Sequence, residues 1–140
     1  MMRVVLDTNV LIASFSKSSP FHEIWHNLRE GNYTLCVSND ILMEYQEIIG
    51  YKTTPQIAQN VVDYLVYSRN VVRITPSYHF GLIKEDCDDN KFVDCAIAGN
   101  AAFIVSDDRH FRVLSQIEYP KVSVLKIMDF VRVLRQMRNA

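Results

Sequence analysis

Arg3-Val4-Val5-Leu6-Asp7-Thr8-Asn9-Val10-Leu11 is the stretch on which the fold class of this chain turns. Its opening residues form a short β-branched, apolar run without polar alternation, which suits a strand buried on both faces better than one with a wet side. Asp7 ends that run, so its carboxylate is expected at the strand's carboxyl end. Ala102 to Val105 is a second run of this kind, and Asp107 and Asp108 follow it. Two strands far apart in the chain are therefore expected to deliver acids to one edge of a sheet.

Between and beyond these runs, strands and helices alternate. Ser19 and Pro20 supply a cap and a first-turn proline, and Phe21, Ile24, Trp25 and Leu28 follow at helical spacing until Gly31. Tyr33 to Val37 reads as a strand. Ser38 opens a helix to about Gly50, and Thr54 with Pro55 opens another through Ile57, Ala58, Val61, Val62 and Leu65. Val71 to Ile74 is a short strand, and Pro76 to Cys87 a polar connection without periodicity. Asp88 or Asp89 begins a helix through Phe92, Val93, Ala96 and Ile97. After Asp108 come a short helix, a strand from Val122 to Leu125, and a last helix burying Ile127, Phe130, Val131, Leu134 and Met137. This order predicts a three-layer α/β/α domain with a mostly parallel, Rossmann-like sheet, whose site lies at the carboxyl ends of the strands.

Composition sets the outer limits. The 140 residues suit one domain spanning 1–140, with 49% hydrophobic and 22% charged residues and no sign of disorder. A net charge of −1 gives no overall basic field, so a polyanionic substrate would need local cations. Cys36, Cys87 and Cys95 form no CxxC pair, which argues against a disulfide framework or a thiolate zinc site and fits a reducing, cytoplasmic setting. Asp7 and Asn9 interrupt the apolar start that resembles a signal peptide, and no apolar run approaches the roughly 20 residues of a membrane span.

Helical geometry, at about 100° per residue, sorts the remaining acids. Glu44 lies at the border of the stripe Ile41, Leu42, Tyr45, Ile48 and Ile49, whereas Glu47 points nearly opposite. Asp89 projects with Phe92, Val93 and Ala96, while Asp94 points away from them. Taken singly, Asp88, Asp89, Asp107 or Asp108 could be a helix cap, Glu44 a solvated boundary residue and Asp7 a turn residue. Taken together, converging carboxylates repel unless cations neutralise them. Oxygen ligands favour Mg²⁺ or Mn²⁺ over zinc, and such a site leaves room for water and a substrate phosphate, as phosphodiester hydrolysis needs.

Leu-Asp-Thr-Asn-Val-Leu at 6–11, Glu44, Asp-Asp-Asn-Lys-Phe at 88–92 and Ile-Val-Ser-Asp-Asp at 104–108 together resemble, in order, the four acidic motifs of PIN domains. Within that superfamily the chain is most similar to the VapC-like toxins of toxin–antitoxin pairs. The resemblance implies Asp7, Glu44, Asp89 and Asp108 as metal-binding acids. It implies Asn9 and Ser106 as hydrogen-bonding supports, with Asn90, Asp94 and Asp107 in a second tier. Relatives more often carry a small residue where Asp107 stands. It further implies Mg²⁺- or Mn²⁺-dependent RNA cleavage leaving 5′-phosphate and 3′-hydroxyl ends, a homodimer, and a cognate antitoxin that occludes the site. Lys91, Arg109, His110 and Arg112 are the basic residues nearest the acids in sequence and thus the candidate RNA contacts. Arg132, Arg135 and Arg138 line the polar side of the last helix, where they answer equally to a helix-end preference for cations.

Three rival readings compete. His22-Glu23-Ile24-Trp25-His26 is a literal HExxH, the zinc protease motif, but both histidines fall off the apolar stripe and are expected to face solvent. A haloacid-dehalogenase-like phosphatase would use Asp7 as nucleophile, yet Asn9 stands where its general acid belongs and cannot donate and retake a proton. A non-catalytic, antitoxin-binding PIN scaffold would bind no metal.

Overall fold

The computed structural model describes residues 1–139. Five strands, β1 (Arg3–Leu6), β2 (Thr34–Val37), β3 (Val71–Arg73), β4 (Phe103–Val105) and β5 (Val124–Leu125), form one sheet in the order β3-β2-β1-β4-β5. Every neighbouring pair is parallel, with Val4 opposite both Leu35 and Phe103. Val4, Val5, Leu6, Leu35, Cys36, Ile104 and Val105 are buried outright, as strands covered on both faces require. The chain runs outward from β1 through β2 to β3, then returns to add β4 on the other side of β1. Such a reversal of strand order is where open α/β sheets place their sites.

Six helices flank the sheet: α1 (Thr8–Ala13), α2 (His22–Arg29), α3 (Asn39–Lys52), α4 (Pro55–Tyr67), α5 (Asn90–Ala98) and α6 (Ile127–Asn139). Helix α3 packs on α4, α2 on α6, and α5 against β1, β2 and β4. Ser38 and Thr54 cap α3 and α4 by accepting from the Ile41 and Ile57 amides at 3.2 and 3.1 Å, each worth about 1 kcal/mol.

The departures from the sequence reading have physical causes. Helix α1 was not expected. The Asp7 carbonyl accepts from the Val10 and Leu11 amides, and Thr8, Val10 and Leu11 are buried, so tertiary packing turns six residues into a helix that is too short to show periodicity. The next helix starts at His22 rather than at Pro20, because Ser19 uses its hydroxyl on the Phe21 amide in a turn. Gly31, at φ +78°, lies just past its end as foreseen. Gly50 does not stop α3, which continues to Lys52. Strand β5 is only two residues long, and Met137 is 42% exposed rather than inward.

Candidate metal centre

Asp7 leaves β1 beside the end of β4, where its amide donates to the Val105 carbonyl at 3.1 Å. It is buried at 7% exposure. Ser106, the residue after β4, donates its hydroxyl to Asp7 Oδ2 at 2.7 Å and accepts from the Asp108 amide at 3.0 Å. One serine thus links the acidic residues that follow both strands. Burial raises the Asp7 pKa above its usual value against the lowering effect of the Ser106 bond and the Thr8 amide. The charges of Asp108 and Glu44 push the same way as burial.

Asp89 joins this group from another direction. It sits in a 3₁₀ turn over Cys87–Asp89, just before α5 and not within it. Its carboxyl pKa is pushed up to about 6, first by burial, then by Asp108, Asp86 and Asp7, with His110 opposing. The charges of Asp108, Asp86 and Asp7 thus all act on Asp89. Asp89 Oδ2 and His110 Nδ1 are buried atoms with no hydrogen-bond partner. Asp86, Asp89 and His110 each offer an atom within 4.8 Å of the others, close enough to share a metal ion.

Glu44 is held more tightly than a bare ligand would be. Thr8 donates its hydroxyl to one carboxylate oxygen, and Lys91 Nζ reaches the other at 2.8 Å and Asp88 at 2.9 Å. Burial works against the lysine's charge, but the bonds to Glu44 and Asp88 outweigh it and raise its pKa. Lys91 is therefore a built-in counter-charge for the acidic edge. Tyr45, fully buried on the next position of α3, donates to the Leu6 carbonyl at 2.6 Å and so fixes this helix to the end of β1.

Four expected participants do something else. Asp107 Oδ1 accepts from the Ile127 amide at 2.9 Å and caps α6, whereas Asp108 Oδ1 accepts from the His110 amide at 2.9 Å, capping the 3₁₀ segment, and also lies 3.2 Å from His110 Nδ1 on the acidic side. Asp94, expected to point away from the apolar stripe, is buried at 5% exposure and accepts from the Phe80 amide and His79 Nδ1 at 3.1 and 3.0 Å. It ties down the aperiodic connection. Asn90 does the same with both ends of its amide on the backbone of Ile83. Asn9 is exposed, and its oxygen takes Lys52 rather than any of the acids.

Sequence reasoning missed Asp86 as a site residue and placed His110 among substrate contacts. A signal was present in Glu85-Asp86-Cys87-Asp88-Asp89, four acids in five residues, which is more than caps can use. The chemistry of the group fits a hard divalent cation: carboxylate oxygens, one imidazole nitrogen at the rim, and buried polar atoms left without partners.

Compared with known proteins, residues 3–110 match the model of a family described as PIN domain. Two solved structures share the fold. One is VapBC2 from Rickettsia felis bound to a DNA fragment from its promoter, with TM-score 0.61 and 18% identity over 89% of this chain and 98% of that one. The other is DNA-bound VapBC from Salmonella typhimurium, with TM-score 0.60 and 19% identity over 91% and 99%. No curated protein sequence matches the chain.

Proposed function

The chain belongs to the PIN-domain family, and on that premise we propose that it is a metal-dependent endoribonuclease, the toxin of a toxin–antitoxin pair. One observation carries the reading. Asp86, Asp89 and His110 each offer a ligand atom within 4.8 Å of the others, with His110 also beside Asp108, and the charges of Asp108 and Asp7 help raise the Asp89 pKa. Carboxylates gathered this closely repel one another, and a divalent cation relieves that repulsion.

Asp7 and Asp89 would hold the principal Mg²⁺ or Mn²⁺, and Glu44 and Asp108 would complete the site or hold a second ion. When bound there, such a cation would lower the pKa of a water and offset charge developing on the phosphate. Ser106 keeps Asp7 and Asp108 in register through its two hydrogen bonds, and Lys91 with Thr8 fixes Glu44. His110 Nδ1 stands between Asp89 and Asp108, 3.4 and 3.2 Å from their carboxylates. RNA is the substrate, cut to leave a 5′-phosphate and a 3′-hydroxyl.

The likeness to VapBC complexes supports a protein antitoxin as partner, and the same family reading carries a homodimer. Free thiols at Cys36, Cys87 and Cys95 suit a cytoplasmic setting, and among the described residues no helix is long and apolar enough to cross a membrane. The experiment is incubation of a mixed RNA pool with Mn²⁺ or with EDTA, wild type against Asp7→Asn. Cleavage should require the metal and fall by about a thousandfold in the variant with the fold intact. Full activity of Asp7→Asn would refute the assignment.

A further inference from the structure

A chain of net charge −1 that handles RNA needs its cations concentrated where the strand passes. Several basic residues are already committed: Lys91 to Glu44 and Asp88, Arg132 to Asp129, and Arg135 and Arg138 to Glu23. Arg112, Lys121 and Lys126 are different. All three are exposed, none is in an ion pair among the described residues, and all three line one cavity of about 500 Å³. Arg112 comes from the 3₁₀ segment after β4, Lys121 from the loop before β5, and Lys126 from the residue after β5. Val122 and Val124 give the cavity an apolar wall, and Asp108 stands at its border with the acidic centre.

We propose that this cavity is a nucleotide subsite for the RNA strand, with Arg112, Lys121 and Lys126 holding backbone phosphate next to the scissile bond and a base lying against Val122 and Val124. The inference rests on the ribonuclease reading and names where its substrate lies. The volume is within the range of small-ligand sites and suits a single nucleotide. Cations around an apolar wall match a phosphate joined to a base, and contact of this kind tolerates many sequences. Asp107 and Asp108 also line the cavity, Asp107 with its carboxylate engaged by the Ile127 amide, so the three cations outnumber the acids there. An acidic stretch of a partner protein could also meet three cations. RNA is favoured because the cavity shares Asp108 with the centre where the scissile phosphate must sit. The cavity also adjoins β5, an edge strand, so a chain can enter across it.

The test uses the full chain carrying Arg112→Ala, Lys121→Ala and Lys126→Ala together, three exposed positions whose loss leaves the core untouched. Binding of a fluorescent 12-nucleotide RNA is followed by anisotropy in EDTA across a salt series, beside Mn²⁺ titration by calorimetry and cleavage of the 12-mer. The triple variant should bind RNA about tenfold or more weakly. Its slope of log affinity against log salt should be shallower by about 2, as three lost phosphate contacts on a single strand imply, with Mn²⁺ affinity unchanged and KM raised. Wild-type affinity and slope in the triple variant, with RNA cleavage intact, would overturn the subsite alone. Loss of binding to poly-glutamate without loss of RNA binding would also overturn it and assign the cavity to an acidic protein partner. A wild type that neither binds nor cleaves RNA would instead overturn the ribonuclease reading, and the subsite with it.

Discussion

Helix α2 and the carboxyl end of the sheet both offer the residue types of a metal site, and the fold treats them in opposite ways. On α2 the spacing is ideal: His22, Glu23 and His26 spell a zinc protease motif in five residues. Yet His22 Nδ1 lies 2.9 Å from the Ser14 carbonyl, Glu23 pairs with Arg135 at 2.6 Å and Arg138 at 3.2 Å, and His26 is exposed. Its acid is spent on joining α2 to α6. At the sheet end the ligand set is scattered over about a hundred residues, and there Asp89 Oδ2 and His110 Nδ1 are buried 3.4 Å apart with no hydrogen bond to either. Burying charge without compensation costs stability, so a fold keeps such a group only where something else completes it. Unsatisfied charge, rather than a contiguous motif, marks the site.

That contrast can be tested first through stability without metal. Asp89 has a folded pKa of about 6 against an ordinary 3.8, so between those values the folded state holds more protons than the unfolded one. Stability from this group is full at the acid end of the window and is lost as pH rises through about 6. In EDTA, the Tm of the wild type relative to Asp89→Asn should therefore fall by about 5 °C between pH 4 and pH 7, and saturating Mn²⁺ should reverse the gap at pH 7. Thermal melts across that range check both. A gap that does not change with pH would mean that Asp89 is as well satisfied as Glu23.

A smaller effect separates neighbours at the sheet end itself. Asp107, like Glu23, is spent on structure, so Asp107→Ala should cost about 1 kcal/mol, or about 3 °C in Tm, through the lost cap on α6. Mn²⁺ affinity measured by calorimetry should stay within about twofold, whereas Asp108→Ala should weaken it by about tenfold or more. Equal losses in the two variants would place both acids at the cation.

Much of this was legible before any coordinates. The buried runs at β1 and β4, the caps at Ser38 and Thr54, and the acids at strand ends are local signals, and each appears where it was read. Asp94 and Asn90 were harder, because their partners are backbone groups of a connection that has no periodicity to place it. Helix α1 and the two-residue β5 are too short for a pattern. His110 lies beside Asp108 in the chain but reaches Asp89 only because the 3₁₀ segment after β4 meets the chain before α5, a tertiary fact that no spacing encodes.

Diffraction from crystals soaked in Mn²⁺, recorded for anomalous scattering, reads the central claim without relying on activity. An anomalous peak bounded by the carboxylates of Asp7, Asp89 and Asp108, with none at His22 and His26, is the expected result. A featureless map at those carboxylates, or a peak on the α2 histidines alone, would contradict it.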